Sequence, residues 1–304
     1  MREGGNAVHC THQGKGEPIL FIHGMPTNRR LWDGVIQQLS SDHRCFAVDL
    51  PGMGETPFVP YTPDYLDRVA EQIELLRIQH GVKKWHVVGH DAGAAVAVQY
   101  AGRFSRHVEC LALLSPAIFP DLKPFYLLNA LRKPLLGEAL APIVHFAFWQ
   151  IVMRRAIKGA SKSTLRRAFY EPFSGLTGAW QLMRLVRWGK PEEMLGQIPA
   201  SLAALPVPTL LIHGLGDVLP KAFAERAASL IPNASLITVD AGHFIPLDKP
   251  NEVVTCLQVF FRKNGARMRA SLSERKHKRQ RFPSRTLVSQ SSDLVDNRPI
   301  AVGG

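Results

Sequence analysis

Six apolar runs, most of them closed by glycine or proline, limit how this chain can fold. They are PILFIHG (Pro18–Gly24), CFAVDLPG (Cys45–Gly52), KWHVVGH (Lys84–His90), VECLALLSP (Val108–Pro116), PVPTLLIHGLGD (Pro206–Asp217) and ASLITVDAGHF (Ala234–Phe244). Near-continuous apolar runs of this length read as strands buried on both faces, the habit of parallel sheets. Helical stretches lie between them. DAGAAVAVQYAGRF (91–104) has the small residues that let a helix pack close to a sheet, and PNEVVTCLQVFFRK (250–263) offers Asn251 as a cap. Strand and helix in alternation imply an α/β fold, with a mostly parallel central sheet flanked by helices.

From Ile118 to about Ala200 the pattern changes. This stretch has no clear strand, and its helical runs are divided by Pro124, Pro134, Pro142, Pro172 and Pro191. A helical cap over 118–200, inserted between core segments 1–117 and 201–263, accounts for it. Its longest apolar stretch, Ala139–Met153, contains Pro142, His145 and Gln150. It falls short of the roughly 20 residues a membrane-spanning helix needs, so a lid helix is expected and stable membrane insertion is not.

Charge matters mainly at the C-terminal end. Of the net +12 carried by 304 residues, eight charges fall from Arg262 onward. The run SERKHKRQRFPSR (273–285) lacks apolar periodicity, so residues 264–304 are expected to form a basic, disordered tail. Without interleaved aromatics it reads as solvated, and no nucleic-acid partner is expected. Cys10, Cys45, Cys110 and Cys256 are scattered, which argues against a zinc site or disulfide framework and fits a reducing, cytoplasmic setting. The N-terminus has no apolar signal region. Oligomeric state is left open.

Ligands of open parallel sheets bind beyond the carboxyl ends of the strands. Four such ends carry polar residues here: His23-Gly24, Asp91, Asp217 and His243. Taken singly, each is an ordinary turn or packing residue. Their order is informative: an acid on a strand–turn–helix elbow, then a second acid, then a late histidine. That is the chain order of a hydrolase triad, with Asp91 where Gly-x-Ser-x-Gly would have serine.

From about residue 14 to 263 the chain resembles the α/β-hydrolase superfamily, and within it the aspartate-nucleophile branch of haloalkane dehalogenases and epoxide hydrolases. HGMPTNRRLW (23–32), DLPGMGETP (49–57), GHDAG (89–93) and AGHFIPLDKPNEV (241–253) carry the resemblance. It implies Asp91 as a nucleophile forming a covalent alkyl ester, His243 as the base that activates water, and Asp217 as its orienting acid. Backbone N–H groups of Met25 and Ala92 would form the oxyanion hole. No cofactor or metal is implied; the partners are a small apolar substrate and water.

Two departures from that pattern bear on the substrate. Dehalogenases hold the departing halide with an indole N–H after the nucleophile and a second donor from the His-Gly-Asn-Pro segment. Here those positions are Ala92 and Met25, so Trp149 or Trp180 would have to substitute. Epoxide hydrolases use lid tyrosines to protonate the opening ring, and Tyr170 and Tyr126 are available. An epoxide is therefore favoured over a haloalkane. An ester or lactone hydrolase, or a lactone-opening lyase, is an alternative on the same fold. A non-catalytic binding protein with a retired triad is another. His90 and Trp32 read as packing residues, and cap cations such as Arg154, Arg166, Arg184 and Arg187 as a solvated face.

Overall fold

Seven strands form a single sheet: β1 (Cys10–Gln13), β2 (Glu17–Ile22), β3 (His43–Val48), β4 (Trp85–His90), β5 (Val108–Leu114), β6 (Thr209–Gly214) and β7 (Ala234–Val239). The spatial order is β1-β3-β2-β4-β5-β6-β7. Every neighbouring pair is parallel except β1 with β3. The computed structural model describes residues 8–122, 126–147, 149, 157–159, 168–169, 173, 177–188 and 191–281. Residues 1–264 form one compact unit and residues 265–304 a second.

Six strands coincide with the six apolar runs, β2 and β3 starting one and two residues earlier. β4, in the middle of the sheet, is buried at every position, whereas β7 at one edge alternates between exposed and half-buried residues. The strand that the apolar pattern does not reveal is β1. Its sequence Cys-Thr-His-Gln is half to fully exposed at an antiparallel edge, where no second layer demands apolar side chains.

Helices α1 (Asp33–Leu39), α2 (Tyr65–Gln79) and α3 (Ala92–Arg103) alternate with the first strands. Between β5 and β6 the described residues contain only helices: α4 (Tyr126–Leu131), α5 (Leu136–Ala147), α6 (Gly178–Arg187), α7 (Pro191–Met194) and α8 (Ile198–Ala203). Then come α9 (Lys221–Leu230), α10 (Ile245–Asp248) and α11 (Pro250–Arg281). α11 passes the expected end near Lys263 by eighteen residues. Residues 264–281 hold five Arg, two Ala and two Lys and lack proline before Pro283, so backbone propensity sustains the helix without an apolar stripe. No described helix is long and apolar enough to cross a membrane.

The connections reverse direction around β2. The chain passes from β2 to β3 on one side and returns to β4 on the other, so a switch point lies between β2 and β4. Crevices at such points hold the ligands of open α/β sheets. His23-Gly24 follows β2, and Asp91 follows β4.

Just beyond β3, the wholly buried Asp49 organises the adjoining loop. Its Oδ1 accepts the Arg29 backbone N–H at 2.8 Å, and Oδ2 accepts the Glu55 N–H at 2.9 Å and pairs with the Arg29 guanidinium. Its own carbonyl accepts the Thr56 hydroxyl at 2.7 Å. The chain therefore wraps around one carboxylate, and Gly54 is obligatory there: at φ +58°, a Cβ would lie 2.2 Å from Asp49 Cγ. Replacing Asp49 by alanine leaves two N–H donors without their acceptor and the buried Arg29 guanidinium with Glu55 as its remaining partner. The expected loss is about 3–5 kcal/mol, read as a lower midpoint in urea unfolding.

Candidate active site

The elbow GHDAG is dictated by close packing. Asp91 stands between β4 and α3 at φ 50°, ψ −123°, a left-handed conformation that non-glycine residues adopt at a cost of roughly 1–3 kcal/mol. Its flanking glycines have no room for a side chain: a Cβ on Gly93 would lie 2.2 Å from the His23 carbonyl oxygen, and one on Gly89 2.7 Å from the Gly93 carbonyl oxygen. Gly24 opposite is equally constrained, since its Cβ would fall 2.4 Å from Asp91 Cβ. The small residues thus let the carboxylate sit tightly between two strand ends.

Five residues singled out from sequence converge here. Asp91 Oδ2 accepts the Met25 N–H at 2.8 Å, and Oδ1 lies 3.5 Å from His243 Nε2. His243 Nδ1 is 2.8 Å from Asp217 Oδ1, which also accepts the Leu219 N–H at 2.8 Å. The Ala92 N–H adds to the groups favouring ionised Asp91. All three side chains are sequestered, Asp91 at 8% and His243 at 5% exposure.

Burial alone would push the pKa of His243 down. The Asp217 and Asp91 carboxylates outweigh that and raise it to about 10. Burial likewise opposes ionisation of Asp91 and Asp217, yet contact with His243 holds both carboxyls below their ordinary range. The resting site is therefore an imidazolium between two carboxylates.

Neighbouring residues keep this arrangement in register. Buried His23 accepts the Leu50 N–H on Nε2 at 2.9 Å, which leaves Nδ1–H to donate to the Gly24 carbonyl at 2.7 Å. It is a neutral tie between loops, its pKa lowered by burial. His90 Nε2 donates to the His243 carbonyl at 3.0 Å, and burial depresses its pKa to about 4. Asp248 accepts the Gly242 N–H at 2.8 Å and the Lys158 and Gly159 N–H groups at 2.8 and 2.9 Å. It fixes the turn before His243 to the helical insertion, a role the sequence did not disclose.

Asp91 opens onto a cavity of ≈ 190 Å³, walled by Met25, Leu50, Met53, Ala95 and Val96 below and by Leu128, Leu185 and Leu195 of the insertion above. Two polar side chains line it that sequence reasoning missed, Tyr65 and Arg132. The first opens α2 and the second follows α4, so no local pattern links either to Asp91. Trp188 also lines the cavity, but its indole N–H donates to the Val59 carbonyl at 2.8 Å. Trp149 and Trp180 are not among the lining residues. The Trp149 N–H bonds His145 Nε2 at 2.8 Å, and Trp180 is 42% exposed. Neither therefore supplies the substitute halide donor considered from sequence. Tyr126 belongs to α4, but its side chain lies outside the described residues, as does Tyr170 altogether.

A family model described as alpha/beta hydrolase fold matches residues 17–250. The chain belongs to the α/β-hydrolase family. This hydrolase is 29% identical over 279 residues to a cis-3-alkyl-4-alkyloxetan-2-one decarboxylase of Shewanella oneidensis, covering 86% of each chain. To a haloalkane dehalogenase of Sphingobium indicum it is 28% identical over 287 residues, covering 85% of this chain and 93% of that protein. A solved haloalkane dehalogenase from Bradyrhizobium elkani shares its fold with a TM-score of 0.70 at 22% identity, covering 85% and 99%.

The electrostatics of this α/β-hydrolase predict a pH signature. His243 has a folded pKa raised from 6.5 to about 10, so its contribution to stability is complete below about pH 6.5 and is lost as pH rises through about 10. Urea unfolding of wild type and His243→Gln across this range should give a stability difference that shrinks steadily with pH. A constant difference would contradict the coupling.

Proposed function

We propose that this hydrolase opens strained oxygen rings, epoxides first among them, through a covalent ester on Asp91. The observation that carries the proposal is the division of labour on one carboxylate. Met25 holds Oδ2, Oδ1 lies beside His243, and Asp91 lines the cavity. An anchored, ionised carboxylate at the floor of an apolar chamber is a nucleophile for sp³ carbon, where a serine would need a carbonyl to attack. The helical insertion serves as the cap that excludes bulk water.

Proton counting favours an oxygen leaving group. When Asp91 attacks a ring carbon, the C–O bond breaks and the ring oxygen takes one proton. The resting site already holds one on His243, so ring opening leaves His243 neutral. Esterification also removes the Asp91 charge that helped to hold that proton. Neutral His243 then takes a proton from water as the oxygen adds to the ester carbonyl, with the oxyanion on the Met25 and Ala92 N–H groups. Collapse expels the diol with that proton, and the new carboxyl of Asp91 returns its proton to His243. A halide takes no proton, so His243 would remain protonated when a base is required. Ala92 and Met25 also leave the halide without side-chain N–H donors, each worth about 1.5–3 kcal/mol to a charged acceptor.

Tyr65 is the hydroxyl available in the described cavity wall. Burial keeps its phenol above its ordinary pKa, so it is a neutral donor to a ring oxygen. A second reading, a lactone-opening lyase, is favoured by similarity to the Shewanella oneidensis protein named for decarboxylating an oxetan-2-one. It shares the strained ring and differs in the fate of the opened product.

Incubating His243→Gln with short terminal epoxides should add the mass of one epoxide to the Asp91 peptide. Wild-type single turnover in heavy-oxygen water should place label in that carboxylate. Retention of epoxide hydrolysis by Asp91→Asn, with no adduct on any peptide, would overturn the reading. Release of carbon dioxide from an oxetan-2-one without epoxide turnover would favour the lyase.

A further inference from the structure

Arg132 is a half-buried cation that lines an apolar chamber and has no ion pair among the described residues. It follows α4, its backbone N–H donates to the Asn129 carbonyl at 3.2 Å, and its side chain lines the same cavity as Asp91. Its Nε is sealed from solvent with no hydrogen bond, and the guanidinium has no ion pair among the described residues. The nearby acid is already committed: Glu138 is held bidentately by Arg187, which also caps the Leu131 and Lys133 carbonyls. Asp91 is likewise engaged, by Met25 and His243.

A buried donor on a cation costs free energy unless something accepts from it. Among the described lining residues the acceptor side chains are Asp91, already engaged, and the Tyr65 hydroxyl; Leu122, Leu128, Met194 and Leu195 supply none. We propose that the missing acceptor belongs to the substrate, and that Arg132 anchors a carboxylate carried at the far end of an apolar chain whose reactive carbon rests on Asp91. The guanidinium fork matches the two oxygens of a carboxylate. A phosphate would bring more charge and more oxygens than this single cation can satisfy. The substrate class is then an amphiphilic acid: a strained-ring electrophile, an apolar spacer and a terminal carboxylate. This assignment of the electrophile rests on the function proposed above, while the carboxylate anchor rests on Arg132 alone.

Arg132 would act as a specificity-determining residue, so its test is binding without chemistry. Isothermal titration with hexanoate and 1-hexanol, unreactive ligands of equal chain length, compares a carboxylate with a neutral hydroxyl. Wild type should bind hexanoate at least tenfold more tightly than hexanol. Arg132→Met should abolish that preference while keeping hexanol affinity, which reports an intact cavity. Arg132→Lys, which retains charge without the fork, should keep part of it. Equal affinities in wild type, no binding of either ligand, or a preference that survives in Arg132→Met would each overturn the proposal. Because no bond to Asp91 forms, the outcome is independent of whether an ester can be trapped.

Discussion

An imidazolium buried between two carboxylates is the interaction on which the rest of this site depends. A lone charge at the depth of His243 would be neutralised by desolvation, as burial does to His23 and His90. Two carboxylates reverse the sign, and His243 in turn keeps both of them ionised. The three groups cannot be separated energetically, since removing any one changes the protonation of the others. Geometry must therefore be held to a few tenths of an ångström, and much of the surrounding structure is devoted to that. Gly24, Gly89 and Gly93 allow the elbow its close approach, His90 holds the His243 carbonyl, and Asp248 pins the preceding turn.

Asp49 does the corresponding work for the cavity wall. Leu50 and Met53 reach the chamber because the loop that carries them is wound around a buried carboxylate with Arg29 as counterion. Asp91 and the wall that carries Leu50 and Met53 therefore rest on separate buried charges, each at the carboxyl end of a strand. Those strands, β3 and β4, flank β2, and the switch point lies on its β4 side. The two carboxylates differ in accessibility. Asp49 is wholly enclosed by donors, whereas Asp91 keeps a lining position on the cavity.

How much of this was legible in the sequence follows from the range of the signal. Buried parallel strands announce themselves locally, and the turns after them locate Asp91, Asp217 and His243. The elbow glycines are readable because their requirement is steric and lies within five residues. β1 was not readable, because an exposed four-residue edge strand has no apolar pattern. The extension of α11 to Arg281 is hidden for a different reason: a run of charges carries no apolar pattern, while its Arg, Lys and Ala residues favour helix through backbone propensity alone. Tyr65 and Arg132 escaped notice because a cavity wall is assembled from segments with no common spacing. Tyr65 opens a core helix, and Arg132 sits in a turn of the insertion.

The two missed residues also reorganise the substrate argument. Sequence posed a choice between leaving groups, framed by an absent indole beside Asp91 and by lid tyrosines. The cavity reframes it as a matter of polarity along a chamber. At the floor are the Asp91 carboxylate, a proton on His243 and two backbone N–H donors. The wall holds a neutral phenol and a guanidinium amid aliphatic side chains. An isotropic apolar haloalkane would use the floor and leave the guanidinium's partner missing. Under the proposed function a strained oxygen ring would use the stored proton, and a ligand with an anionic end would use the guanidinium. Each charge that burial makes costly then has a counterpart in the bound complex, the condition under which such groups can be kept inside an apolar wall.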